Sequence, residues 1–511
     1  MNLGRARHVA SVLAGVVGRE IISELGERRG AASSTAGLGG QRRAVAVRHA
    51  LEQLGPFYIK MGQVLSTRPD IVPETMIQEF QNLHERVAVA PFSDFEPVLE
   101  DEIGRDWRNV FAEIDTETPL GAASLAQVYA VRLKSGEPAV VKIQRPGTAK
   151  VMRDDMGVIR SAARQLARRR PDLNEVLDLE AMLEGIFNAM EPELNFNLEA
   201  ANMEQARGFL DGFEHIAVPE PIFVTERVLV QQMAPGRSIR EVNRDKIADD
   251  ERQAIGRELL AFMYRGFWIN GMFHADPHPG NVYIQPGGQA FIIDWGMVGR
   301  LDRRMSLATA MVVVNLAQND GMGLAKAWIE MGRATSWANI PGFINDLSAF
   351  VPTVAGASMK DFNFGATLTQ VLKFSTRRGI QTPPAIGLLG KAFANIEGSV
   401  RYLAPELSLI DVFQDEFEDV VFTLARHVVS DEHAAQVVMN LLAGITAAPE
   451  QSRSLLRDLS NRELTIQVSE AIPRRSRRED RADQRARAMR HTIAALGIIA
   501  LWHDRRSRQP R

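Results

Sequence analysis

The sequence contains no cysteine. That excludes a disulfide framework, a thiolate-held metal and a Cys nucleophile, and it suits a reducing compartment. It also lacks any run of the roughly 18 apolar residues that a confident membrane span requires. The nearest approach, Thr492 to Trp502, is shorter. Glycine (39) and proline (24) are present without a period, which excludes a collagen-like repeat. No internal repeat is visible. What remains is a chain of 511 residues, 45% hydrophobic and 24% charged, in the range of folded proteins. Length alone suggests about three domain-sized units, enough to bury a core without staples.

The net charge of −3 hides an asymmetry. From Arg474 onward, twelve arginines face four acids, which gives +8 and leaves −11 for everything before. A basic tail on an acidic body points to an anionic surface; the competing reading is a solvated terminus. The run 492–502 lies between arginine clusters and ends in Trp502, a pattern suited to lying on a bilayer. A terminal helix docked on the body is the alternative. A membrane surface is the partner expected, and nucleic acid is not.

At the other end, Arg5 and Arg7 precede an apolar run from Val9 to Val17. It resembles the start of a signal peptide but runs into Gly18-Arg19-Glu20 with no small-x-small cleavage site. Val9, Val12, Leu13, Val16, Val17 and Ile21 follow helical spacing, so an amphipathic helix is the better reading. The lack of acid before Glu20 leaves a mitochondrial presequence open. Ala31 to Gly40 reads as a flexible linker.

Further along, helical spacing runs from Arg42 to Leu54 and from Phe57 to Ser66, broken by Gly55-Pro56. Val110 to Ile114, Ala126 to Leu133 and Ala139 to Gln144 read as strands. A helical block spans 148–210, interrupted at Pro171 and Pro192. A strand pair follows at Ile222 to Val224 and Val228 to Gln232, then a helix from Lys246 to Asn270. A hairpin of Val282 to Ile284 and Ala290 to Asp294 comes next. Residues 302–469 look helical.

The chemistry concentrates around His274-Ala-Asp-Pro-His-Pro-Gly-Asn281. Asp276 and Asn281 are five apart, a hairpin follows, and Asp294-Trp295-Gly296 closes it. The interval matches the protein-kinase pattern of a catalytic Asp, a metal-binding Asn and a second Asp before Gly. One carboxylate must face an acceptor hydroxyl, while an amide and a second carboxylate reach metal at the nucleotide phosphates. Gly296 is expected to supply the sharp turn after the strand. Upstream, Lys142 in Ala139-Val-Val-Lys142 sits on a strand, where it can reach the α/β-phosphates. The expected G-x-G-x-x-G loop is missing; Gly121-Ala122-Ala123-Ser124 stands in its place, still small enough for backbone amides to approach phosphate. A metal-hydrolase reading of His274, Asp276 and His278 is the competitor, but it leaves Lys142, Asn281 and Asp294 without a role.

Together these motifs resemble the UbiB/AarF-domain atypical kinases, the group that includes the coenzyme Q kinase-like proteins. Lys60-Met61-Gly62-Gln63 matches the family's KxGQ signature. Gly121 to Ser124 matches its alanine-rich loop, and Glu193 to Asn202 its ExD-containing helix. The loops at His274–Asn281 and Asp294–Gly296 match its catalytic and metal-binding motifs. The resemblance extends from Arg42 to Ile410, including Thr382-Pro383-Pro384 and the stretch Glu397 to Pro405. Three positions depart: Asn195 replaces the Asp of ExD, Trp295 the Phe of DFG, and Gln232 a Glu often found in the hinge-like strand.

The resemblance implies an α+β, protein-kinase-like two-lobe fold with an N-terminal helical extension and a C-terminal all-helical extension. The expected units are an amphipathic helix and linker (1–40), the KxGQ extension (41–109), the kinase-like domain (110–345), a helical region (346–473) and the basic tail (474–511). ATP and Mg2+ are implied. Asp276 is the expected catalytic carboxylate, with Lys142 paired to Glu199 and Lys60 to Glu193, and Gln63 beside Lys60. Gly121, Ala122, Ala123, Ser124, Gln127, Val128, Gln232 and Met233 are expected around the nucleotide, with Asn281 and Asp294 at the metal. Spacing adds only that Glu193 and Glu199, six apart, would diverge by about 600° on one continuous helix. The function implied is an atypical kinase or ATPase supporting isoprenoid-quinone or prenyl-lipid biosynthesis, at the cytoplasmic periphery of a membrane. A small-metabolite phosphotransferase and a non-enzymatic nucleotide- and lipid-binding scaffold are the alternatives.

Overall fold

The computed structural model describes residues 36–66, 72–83, 89–169, 179–285, 287–355 and 364–408, with scattered positions at 5–12 and 412–420. The basic tail, its apolar run and most of the first apolar segment lie outside the described residues. Among the described residues no helix is long and apolar enough to cross a membrane.

The extension is built from α1 (Ala36–Leu54), α2 (Pro56–Ser66) and α3 (Glu74–Gln81). Here one expectation is corrected: Ala36 to Gly40, read as linker, is the first turn of α1. Glycine weakens a helix by only about 1 kcal/mol per residue, and packing of α1 on α2 and α3 outweighs that. Phe57, Tyr58, Ile59 and Val64 of α2 are buried with Leu51, Leu54, Phe80 and Leu83. The Gly of KMGQ has a packing reason. A Cβ on Gly62 would lie 2.3 Å from Leu83 Cδ1 and 2.9 Å from Leu51 Cδ1. The same cluster takes in Val9, and Arg5 reaches the buried Asp155 (Nη2 to Oδ2 2.7 Å) and the Leu54 carbonyl (2.5 Å).

After the short α4 (Glu96–Glu102) comes an antiparallel sheet of β1 (Phe111–Ile114), β2 (Gly121–Ala122), β3 (Ala126–Leu133), β4 (Pro138–Gln144), β6 (Pro221–Val224) and β7 (Val228–Gln232). Its order is β1-β3-β4-β7-β6, with β2 on β3. Strand alternation sorts β4. Ala139, Val141 and Ile143 are buried with Phe95, Leu99, Trp107, Val228 and Val230, so Lys142 points to the opposite face. Of the helices inserted between β4 and β6, α7 (Phe196–Arg207) packs against the sheet, while α5 (Thr148–Arg169) and α6 (Leu179–Met190) pack on the N-terminal extension.

The second lobe follows a short β5 (Ile216–Ala217) and β8 (Arg237–Ser238). Helix α8 (Asp249–Arg265) winds into a π-helical turn, Gly266–Asn270, and Gly271 at φ 65° ends it. Then come β9 (Met272–His274), β10 (Val282–Ile284), β11 (Ala290–Ile292) and β12 (Val298–Arg300). β9 pairs with β12, and β10 with β11, so both loops of interest emerge side by side. The rest is α9 (Arg303–Ala317), α10 (Gly321–Met331), α11 (Ile340–Ala355), α12 (Phe364–Arg377) and α13 (Pro384–Leu403), with a small bridge of β13 (Arg333–Ala334) and β14 (Ile380–Gln381). One core joins them: Leu259, Phe267, Trp268, Phe273, Trp328, Phe393 and Ile396 are all buried. The fold is kinase-like, with a sheet-bearing lobe, a helical lobe and helical extensions at both ends.

Candidate active site

The cleft between the lobes brings together most of the residues singled out in the sequence. Lys142 Nζ donates to Glu199 Oε1 (3.0 Å) and Oε2 (2.9 Å), and also to Asp294 Oδ1 (2.9 Å). Its ammonium lies 5.4 Å from the centre of the Phe196 ring. Burial works against the Lys142 charge, but Asp294 and Glu199 outweigh it and hold its pKa above the ordinary value. Burial raises the Glu199 carboxyl, with Lys142 offsetting part of that and Asp294 adding to it. Asp294 is held well below the usual carboxylate range by Lys142, against burial, with help from Lys60 and His274. The result is an acid-base-acid bridge across the cleft in which Asp294 stays half-exposed.

Lys60 enters from α2 and pairs with Glu193 (2.8 Å). Glu193 and Glu199 are not on one helix. Glu193 sits in a 3-10 turn, Glu191–Leu194, and Asn195 at φ −137° breaks the chain before α7. The Asn195 side chain accepts from the Asn197 amide and so caps α7. That gives the departure from ExD a local role, since Asn and Asp are both strong N-caps. Gln63 does not join the carboxylate cluster; its amide donates to the Leu83 carbonyl (3.2 Å) and ties α2 to the end of α3.

The alanine-rich segment forms a tight hairpin. Gly121 and Ala122 pair with Val128 and Gln127, and the Ala123 amide donates to the Ala126 carbonyl. Arg145 Nε donates to the Ala123 carbonyl and holds the turn from beneath. Ser124 is fully buried. Gln127 is corrected as a nucleotide contact through its side chain: the amide is buried and spent on Ala90, accepting from its N–H (2.7 Å) and donating to its carbonyl (3.1 Å). Gln232 and Met233 end the hinge strand, where the Met233 amide reaches the Pro138 carbonyl and Gln232 binds Glu220.

The other wall is the loop after β9. His274 is fully buried between two backbone groups: Nε2 donates to the Ile293 carbonyl (3.0 Å) and Nδ1 accepts from the Asp276 amide (3.0 Å). Burial lowers its pKa, so the ring is neutral and both nitrogens are committed. His278 Nδ1 accepts from the Gly280 amide. These bonds contradict the metal-hydrolase reading of His274, Asp276 and His278, and no group of three such ligands occurs among the described residues. Asn281 Nδ2 donates to the Asp276 carbonyl (3.1 Å), a bond that leaves its amide oxygen unused.

The sharp turn after β11 falls on Asp294 rather than Gly296. Asp294 has φ 64°, a left-handed conformation that Asp tolerates better than most residues. Trp295 is buried, its indole donating to the Ile292 carbonyl (2.9 Å) and packing edge-on to His274. Asn202 binds the Trp295 carbonyl (3.0 Å), so α7 pins the segment from the far side.

Two residues were missed. Lys391 Nζ lies 3.1 Å from Asp276 Oδ2, and Asn395 Nδ2 donates to Asp276 Oδ1 (2.6 Å). Both come from α13. Their spacing of four was the available signal, but nothing local ties them to a loop more than a hundred residues earlier.

Known proteins resemble the chain across both the kinase-like and the C-terminal helical parts. The ABC1 atypical kinase-like domain matches residues 82–328, and the UbiB helical domain matches residues 347–408. A protein of Azotobacter vinelandii named probable protein kinase UbiB is 32% identical over 381 residues, covering 72% of this chain and 70% of that one. One of Marinobacter nauticus with the same name is 30% identical over 387 residues, covering 74% and 70%. Among solved structures, one described as the complex of Rv3197 with erythromycin from Mycobacterium tuberculosis is similar at a TM-score of 0.50 and 21% identity. It covers 78% of this chain and 97% of that chain, a likeness of fold.

Proposed function

The chain belongs to the UbiB-type ABC1 atypical kinase-like family, and from that premise we propose that it binds Mg-ATP and transfers the terminal phosphoryl group to water or an acceptor hydroxyl. By family likeness that activity supports isoprenoid-quinone or prenyl-lipid biosynthesis at a membrane surface. The observation that carries this is the Lys142 bridge between Glu199 and Asp294, 2.9 Å to each, facing a loop that presents Asp276 and Asn281. A lysine fixed between two acids is oriented for phosphate. Asp294 and Asn281 supply one carboxylate and one amide oxygen, hard donors that suit Mg2+. Bound there, Mg2+ would neutralise charge on the phosphates.

In this reading Asp276 orients the attacking hydroxyl or water. The hairpin at Gly121 to Ser124, with the Val128 backbone, covers the phosphates, and Gln232 and Met233 edge the base. Lys60 on α2 closes the cleft from above. The division we assign is a lid (41–109), a kinase-like domain (110–345) and a helical region (346–473). The junction of the two family matches between residues 328 and 347 supports the last boundary, whereas the ABC1 match begins at residue 82, inside the lid.

The test is a thermal shift with Mg-ATP together with ATP hydrolysis. Wild type should be stabilised by Mg-ATP and hydrolyse it. Asp294→Asn should lose the Mg-dependent shift, while Asp276→Asn should keep it and lose about a hundred- to ten-thousand-fold in turnover. Equal turnover in Asp276→Asn and wild type would leave Asp276 a structural loop carboxylate.

A further inference from the structure

Asp276 is met on both carboxylate oxygens by one helix of the C-terminal region. Asn395 donates to Oδ1 at 2.6 Å and Lys391 lies 3.1 Å from Oδ2. A third residue of α13, Ser399, is fully buried and donates to the carbonyl of Pro277, the next residue in the loop (2.9 Å). Lys391, Asn395 and Ser399 follow at intervals of four, which places them on one stripe of the helix. That stripe is docked along the catalytic loop.

We propose that Lys391 is the acceptor-side cation of this active site, contacting the phosphoryl group as it leaves the nucleotide. In the same proposal Asn395 is a positioning residue that fixes the rotation of the Asp276 carboxylate. This rests on the Mg-ATP reading above. The argument is one of distance. A base must lie within about 2.6–3.2 Å of the hydroxyl or water whose proton it takes, and the attacking oxygen must meet the phosphorus in line. An ammonium already 3.1 Å from the base's oxygen therefore stands beside the attacking oxygen and the equatorial phosphoryl oxygens. Lys142 is held by a separate set of partners, Glu199 and Asp294. Lys391 and Asp276 are each about a quarter exposed, so the pair is open to solvent. A fixed cation there gains strength as charge spreads over the phosphoryl oxygens. The helical region thus contributes a group to the site, and the kinase-like domain alone is incomplete.

The experiment uses the full chain and two affinities for each variant: Mg-ADP, and Mg-ADP with aluminium fluoride, which mimics the phosphoryl group in flight. Wild type should bind the mimic more tightly than Mg-ADP. Lys391→Met should keep Mg-ADP affinity within about twofold and lose at least about tenfold of that margin, with kcat for ATP hydrolysis falling about a hundredfold and KM little changed. Lys391→Arg should recover most of the loss by restoring the charge. Asn395→Leu should lower kcat and leave Mg-ADP binding intact. An unchanged margin in Lys391→Met would overturn the proposal. So would a parallel loss of Mg-ADP and mimic binding that Arg does not restore, because that marks a role in folding. Failure of wild type to bind Mg-ADP at all would instead overturn the Mg-ATP reading, and this inference with it.

Discussion

Glu397 stands on α13 with its carboxyl buried among Phe364, Tyr264 and its own helix, and with Oε2 unpaired. Burial pushes its pKa up to about 7, with Arg401 and a bond from the Phe364 backbone pulling the other way. The sign follows from proton linkage. The folded chain holds a proton that the unfolded chain, titrating near 4.5, gives up earlier. Stability is therefore lost as pH rises from about 4.5 to about 7, and the loss is complete above that. At roughly 1.4 kcal/mol per pKa unit the penalty is about 3 kcal/mol. Glu397→Gln should be more stable than wild type at pH 8 and close to it near pH 4, below the unfolded value. Urea unfolding at the two pH values checks this; parallel curves for both proteins would show that Glu397 carries no buried charge. By contrast, Lys142 stabilises the Asp294 carboxylate in its charged form, so its contribution is present above the ordinary carboxylate range and is lost as pH falls through and below it.

At the scale of elements, the lid is where a prediction can be read most directly. Lys60 and Glu193 are both largely buried, at 16% and 10% side-chain exposure. Removing one partner of such a pair typically costs about 3–5 kcal/mol, because the other charge is stranded. Lys60→Ala and Glu193→Ala should each cost on that scale, and the double variant should cost clearly less than their sum. Strictly additive losses in the cycle would mean the two do not act as a pair. This pairing was legible only through family likeness. Spacing alone could say that Glu193 and Glu199 diverge, and the structure adds that a 3-10 turn and the Asn195 cap separate them. Strands were easier to read: β3 spans the same residues as its alternation, since Tyr129, Val131 and Leu133 lie on an apolar layer and the Val128, Ala130 and Arg132 face is more open. The start of α1 was misread because glycines signal loop locally, whereas the core of the extension decides there. Gly296 was given the turn for the same reason, though Asp294 makes it.

For the whole molecule, the charge separation between a −11 body and a +8 tail predicts salt-sensitive attraction to anionic lipid. Deleting residues 474–511 should weaken flotation with anionic liposomes, and added salt should weaken it in the full chain. Flotation indifferent to both would move the membrane case to the N-terminal apolar segment. That the loop 274–281 and the Asp294 turn lie side by side could be read from the sequence because protein kinases fix that spacing. The contribution of α13 could not, because it arises from packing between segments 119 residues apart, as from Asp276 to Asn395.

That separation also sets an order in time. On the ribosome Asp276 emerges well before Asn395. At about 5–20 residues per second the delay is about 6–24 s. Once Asp294 has followed, the nascent chain carries Lys142, Glu199 and Asp294 while Asp276 still lacks its contacts from α13. Docking of α13 is then a completion step: the contacts on Asp276 form only when the chain has been made far enough to include its own C-terminal helices.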